Sequence, residues 1–95
     1  MNSARLSEMS KKRLNKNVKY EITLHDDNKN TFDHVIDCLV DICGHVDMQA
    51  QQCALITHKN GKCSVFVDTQ EECEVVYELL LRNGLSVSMN TYKKR

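Results

Sequence analysis

Tyr20, Ile22 and Leu24 alternate with polar neighbours over Lys19–Leu24, the period-two pattern of a strand buried on one face. After the polar run Asp26-Asp27-Asn28-Lys29-Asn30, a turn by composition, the period changes. Phe32, Val35, Ile36, Leu39, Ile42 and Cys43 recur at three- and four-residue spacing. This predicts a helix capped by Asn30 or Thr31, running to about Cys43 and stopped by Gly44. Asp47 can cap a second helix to about Lys59, with Ala50, Cys53, Ala54 and Thr57 facing inward, before the Asn60-Gly61 turn. Cys63–Val67 reads as a second strand. Thr69-x-x-Glu72 is a capping box for a third helix with a buried stripe of Cys73, Val76, Tyr77, Leu80 and Leu81. Beyond Asn83-Gly84, Leu85, Val87 and Met89 alternate with Ser86, Ser88 and Asn90 in a last strand. The order β-α-α-β-α-β predicts an α+β two-layer sandwich, a three-stranded antiparallel sheet packed against three helices.

Residues 1–18 show no sustained apolar face and read as a flexible basic extension. Residues 19–91 are then the core domain, and 92–95 a basic tail. The formal net charge of zero conceals a strong asymmetry. Six basic residues against Glu8 alone give residues 1–19 a charge of +5, and Lys93-Lys94-Arg95 add +3. Residues 20–92 hold 12 acids against Lys29, Lys59, Lys62 and Arg82, a charge of −8. Such a body repels nucleic acid and attracts cations, amines included.

The chain lacks a signal-peptide core or an 18-residue apolar run, so a cytoplasmic protein without a membrane role is expected. Five cysteines, Cys38, Cys43, Cys53, Cys63 and Cys73, form no Cys-x-x-Cys pair and read as small buried hydrophobes in a reducing compartment. No nucleophile–base signature or glycine-rich phosphate loop is present, so no catalytic residue and no cofactor is expected. His34 and Cys38, four apart with Asp37 beside them, make at most half a zinc site; with His34 facing outward, no metal is expected.

His58 stands apart. Ala54, Thr57 and His58 share a helix face, as do Phe32 and Val35 on the preceding helix. If those faces meet, the small Ala54 and Thr57 leave a hollow under Phe32, with His58 and the Asp26-Asp27 turn at its rim. Acceptors beside an apolar hollow suit a cationic amine carrying a hydrophobic side chain. They point to a recognition module. The alternative is a same-fold domain that only docks proteins, like the C-terminal domain of the ribosomal stalk protein, with no amine site.

The acidic turn leading into Phe32-Asp33-x-Val35-Ile36, with Gln52-Cys53-Ala54-Leu55-Ile56-Thr57-His58 and His58-x-x-Gly61-Lys62 ending the second helix, resembles the ClpS-type adaptor family in its Bacteroidetes form. The likeness extends from about Lys19 to Met89. It implies an adaptor, not an enzyme, that binds N-degron substrates beginning with Phe, Leu, Tyr or Trp. The adaptor would act as a monomer and hand them to the N-terminal domain of a ClpA- or ClpC-type AAA+ unfoldase. Carried over by position, Asp26, Asp27 and His58 hold the substrate ammonium, and Asn28 and Asn30 shape the turn. Phe32, Val35, Ala54, Thr57 and Leu85 line the side-chain pocket, and Glu71 contacts the unfoldase. The N-terminal extension would be needed for handover. Against the family's usual Asn-Asp-Asp, the chain is read as Asp26-Asp27-Asn28. Ala54 replaces a common gating Met, which should widen the pocket.

Overall fold

The computed structural model describes residues 18–93. The predicted extension therefore lies outside the described residues except for Val18, as do the last two residues of the basic tail. The elements follow the expected order: β1 (Tyr20–His25), α1 (Phe32–Asp41), α2 (Asp47–Asn60), β2 (Lys62–Asp68), α3 (Gln70–Arg82) and β3 (Val87–Thr91). The sheet has the order β2-β1-β3 with both pairs antiparallel. The first strand is thus central, which explains why Ile22 and Leu24 are among the most buried residues, at 0% and 2% exposure. Around them Leu39 of α1, Ala50 of α2, Val65 of β2, and Cys73, Val76 and Leu80 of α3 close a single core.

Local chemistry sets the element ends. Thr31 caps α1, its hydroxyl accepting from the His34 amide at 3.1 Å, and Thr69 caps α3 by accepting from the Glu72 amide at 3.3 Å. Gly61 ends α2 with φ of 93°, a left-handed conformation that a Cβ would strain, and its amide donates to the Thr57 carbonyl at 2.8 Å. The turn is tight enough to start β2 one residue later.

Several boundaries and faces depart from the expectation. The cap of α2 is Val46, and Asp47 is the helix's first residue, where its charge favours the positive dipole end without a capping hydrogen bond. The first helix ends at Asp41, with Gly44 two residues past the Ile42 cap. Cys53 is only partly buried. Leu81, assigned to the buried stripe of α3, is 42% exposed because the helix aims Leu80, at 0%, into the core. The last strand begins at Val87, although the Ser86 carbonyl already accepts from the His25 amide at 2.7 Å.

One irregularity was silent in the sequence. The β1–β2 register shifts between Ile22 and Thr23, leaving Val65 as the extra residue of a bulge. The carbonyl of Val65 finds its partner in buried His45, whose Nε2 lies 2.7 Å away and must carry the proton; Nδ1 has no partner among the described residues.

Candidate functional site

Where the end of β1, the acidic turn, the start of α1 and the second half of α2 converge, the fold leaves a solvent-open cavity of about 230 Å³. Its floor and walls are apolar. Leu24, Ala54, Thr57 and Leu85 contribute buried side chains at 2–4% exposure, and Phe32 and Val35 of α1 form the opposite wall. Phe32 is 44% exposed, an aromatic edge left at the mouth. The Thr57 hydroxyl donates to the Cys53 carbonyl of its own helix at 2.8 Å, so its methyl is what remains for the cavity. An engineered apolar cavity of roughly 150 Å³ is large enough to take benzene. A phenyl or isobutyl group therefore fits this one.

The rim is polar, with Asp26, Asp27, Asn28, Asn30 and His58 all lining the opening. These residues differ sharply in what they have free. Asp27 is engaged on both oxygens: Oδ1 accepts from the amides of Lys29 (3.0 Å) and Asn30 (2.9 Å), and Oδ2 from Asn30 Nδ2 and Ser86 Oγ, both at 2.8 Å. Four donors fill the four lone-pair sites of a carboxylate. They hold its carboxyl far below the usual carboxylate range, the Asn30 amide contributing most, with burial opposing. Asn30 gives its second amide hydrogen to the Gly84 carbonyl at 2.9 Å. Asp27 and Asn30 thus staple the turn to the α3–β3 loop that carries Leu85.

Asp26 is different. Its amide is fixed to the Gly61 carbonyl at 2.9 Å, yet its side chain is 42% exposed and among the described residues has only His58 within ion-pair range, with Nδ1 3.8 Å from Oδ1. That separation is too long for a hydrogen bond. Asp26 and His58 stand side by side with acceptor capacity unfilled, and Asn28 makes no side-chain hydrogen bond among the described residues.

Leu24 and His25 also line the cavity and were not anticipated. Their signal lay in adjacency, since they are the last residues before the acidic turn. His25 bonds Ser88 Oγ through Nε2 at 2.8 Å. His25 extends the rim by one residue ahead of the turn, so that His25, Asp26, Asp27 and Asn28 all line the cavity. Ser86, 59 residues from Asp27 in sequence, carried no local signal at all.

The other candidates lie elsewhere. His34 does not face outward: it is partly buried, with Nε2 2.8 Å from the Asn83 carbonyl and 3.7 Å from Cys38 Sγ, tying α1 to the end of α3. Among the described residues no three His, Cys, Asp or Glu side chains converge to hold a metal. Burial pushes the Cys63 thiol up to about 11 and that of Cys43 to about 12, so both are protonated and poor nucleophiles at neutral pH. Glu71 sits in the first turn of α3, on the same face as the exposed Val75 and Leu79 and remote from the cavity. No helix among the described residues is long and apolar enough to cross a membrane.

Residues 15–88 match the family model of the ATP-dependent Clp protease adaptor protein ClpS. The chain is 33% identical over 70 residues to the ClpS adapter of Thermosynechococcus vestitus, covering 73% of this chain and 74% of that protein. The Synechocystis adapter is 33% identical over 70 residues (73% and 71%), and that of Nostoc 34% over 70 residues (73% and 72%). The fold is shared with Agrobacterium tumefaciens ClpS2, solved bound to L-phenylalaninamide. The TM-score is 0.67 at 15% identity, covering 79% of this chain and 98% of that one.

Proposed function

The chain belongs to the ClpS family of adaptor proteins of the ATP-dependent Clp protease, and we propose that it captures proteins by a bulky hydrophobic N-terminal residue and delivers them to the unfoldase. The family is one of substrate adaptors, not enzymes, working with Clp chaperones and their substrates. The observation that carries the finer reading is the pairing of an apolar cavity of about 230 Å³ with unfilled acceptors on Asp26 and His58 at its rim. A free N-terminus brings both complements at once, an ammonium with three donors and, one carbon away, the first side chain. Asp27 adds negative charge and rigidity while its lone pairs stay with the turn. The likeness to ClpS2, which was solved with a phenylalanine derivative that has a free amine and an amidated carboxyl group, supports the same chemistry.

Phe, Leu, Tyr and Trp are the first residues that fill such a space, and burial of a Phe or Leu side chain contributes about 1.5–3 kcal/mol. A domain that merely docked other proteins would require neither the carboxylate pair nor His58. The partner surface would be the α3 face beginning at Glu71, engaging the N-terminal domain of a ClpA- or ClpC-type unfoldase, with the adaptor a monomer in the cytoplasm. Titrating peptides that differ only in their first residue tests the reading. Phe, Leu, Tyr and Trp should bind and Ala, Ser and Glu should not; equal binding across the set would refute it.

Ala54 sets the width of the cavity, being buried at 4% on the wall contributed by α2. Ala54→Met is expected to narrow it and to weaken Trp and Phe peptides by about 1 kcal/mol more than Leu peptides, on the scale of a few methylenes. An unchanged ranking in the same titration would remove Ala54 from the pocket wall.

Delivery is separable from capture. Among the described residues, all that line the cavity lie at or beyond Leu24. Deleting that segment should leave peptide affinity within about twofold, a shift below the roughly 0.5 kcal/mol of an ordinary surface change. The truncated adaptor should fail to accelerate degradation of an N-degron substrate by the Clp protease. Undiminished degradation would show the segment to be dispensable for handover.

A further inference from the structure

Cationic side chains are unevenly placed on this acidic body. Of the four bases within residues 20–92, Arg82 pairs with Glu78 at 3.4 Å, and each of the other three adjoins or pairs with a residue that lines the cavity. Lys29 lies in the acidic turn between the lining residues Asn28 and Asn30, its amide bound to Asp27. Lys59 follows His58 in the last turn of α2. Lys62 pairs across the β1–β2 ladder with His25, which puts the two side chains on one face of the sheet. All three lysines are exposed, and none has a carboxylate within ion-pair distance among the described residues.

We propose that this collar makes the mouth select acidic residues at the second and third positions of the substrate, immediately after its hydrophobic first residue. The inference rests on the capture reading above and adds a sequence preference to it. Once an ammonium sits between Asp26 and His58, two carboxylates face one ammonium and three lysines, leaving a local charge of +2. Asp33, in the first turn of α1, lowers it to +1. The carbonyl end of α2 absorbs part of the field of Lys59, which leaves Lys29 and Lys62 as the main contributors. An extended chain advances about 3.3 Å per residue, so the second and third residues stay within roughly 7 Å of the ammonium, inside the screening length of about 8–10 Å at physiological salt. A lysine in those positions meets like charge, and an aspartate finds unpaired cations.

The test compares three peptides with free N-termini and a C-terminal fluorophore, beginning Phe-Ala-Ala, Phe-Asp-Asp and Phe-Lys-Lys, titrated at low and high salt. Exposed pairs shift affinity by about 1.4- to fivefold each. The expected order is Phe-Asp-Asp, then Phe-Ala-Ala, then Phe-Lys-Lys, with roughly a five- to tenfold span at low salt that shrinks towards unity near 0.5 M. The double variant Lys59→Glu/Lys62→Glu, exposed at both positions, should abolish or invert the order of the three peptides, each read relative to Phe-Ala-Ala on the same variant. Equal affinities, or tighter binding of Phe-Lys-Lys by the unaltered protein, would overturn the preference and leave capture intact. If Phe-Ala-Ala itself fails to bind, the capture reading falls and the preference with it. Should the double variant misfold, the salt series on the unaltered protein decides.

Discussion

Asp27→Ala is expected to cost about 2–3 kcal/mol of stability and to abolish measurable peptide binding. The carboxylate collects four donors, from Lys29, Asn30 twice and Ser86, and bonds to a charged group are each worth about 1.5–3 kcal/mol, though not additively within one network. For a domain of this size the loss lowers Tm by roughly 10–20 °C. Binding suffers beyond stability, because the turn presents Asp26 and the Asn30 bond to Gly84 holds the loop of Leu85. Asp27→Asn keeps the volume but turns two hydrogens towards the Asn30 and Ser86 donors, so it should not rescue. The pH dependence has a definite sign. A carboxyl held far below its usual range contributes stability above the unfolded value of about 3.9, and that contribution is lost only as pH falls towards the folded value. The native turn should therefore persist through mild acid, and Asp27→Ala should remove that resistance. Thermal melts across pH measure this, and an unshifted Tm at neutral pH would show the network to be ornamental.

His58→Ala is expected to do the opposite, leaving Tm nearly unchanged and weakening Phe-peptide binding by about 1–3 kcal/mol, some five- to 150-fold. The ring is 72% exposed and Asp26 is its one ion-pair partner among the described residues, so the fold has little to lose. A competing role, holding carbonyls at the end of α2, would lower Tm and spare affinity. Gly61 already donates to the Thr57 carbonyl there. Melts and titrations on one variant separate the two roles.

Much of this architecture was legible because it is written at short range. Period two in Tyr20–Leu24, the three- and four-residue spacing of Phe32–Leu39, and the caps Thr31 and Thr69 each depend on neighbours within four residues. The second helix was the least periodic, since small Ala50, Ala54 and Thr57 are what allow close packing, and its cap was misplaced by one residue. The helix residues Phe32, Val35, Ala54, Thr57 and His58 lie on the cavity because i, i+3, i+4 spacing fixes which side chains share a helix face, whereas Leu85 was named only from the family resemblance. Long-range bonding was invisible. Nothing local says that Asp27 would bond Ser86, that His34 would turn to the Asn83 carbonyl, or that Asn30 would reach Gly84. Those bonds divide the rim into a locked carboxylate and a free one, a distinction that residue type alone does not contain. Leu81 failed for a related reason: two adjacent leucines cannot both face one core, and tertiary packing chose Leu80.

The central claim is that Asp26 and His58 grip a free α-ammonium beside the apolar cavity. It is tested most directly by titrating one Phe-initiated peptide against its N-acetylated twin. Acetylation removes the charge and two donors while leaving the phenyl group untouched, and it leaves Asp26 facing an amide in place of a cation. The free peptide should bind, and the acetylated one should be weaker by at least about 2–3 kcal/mol, some 30- to 150-fold. Equal affinity of the two peptides would contradict the account, because it would mean that the cavity holds the side chain and the acidic rim plays no part.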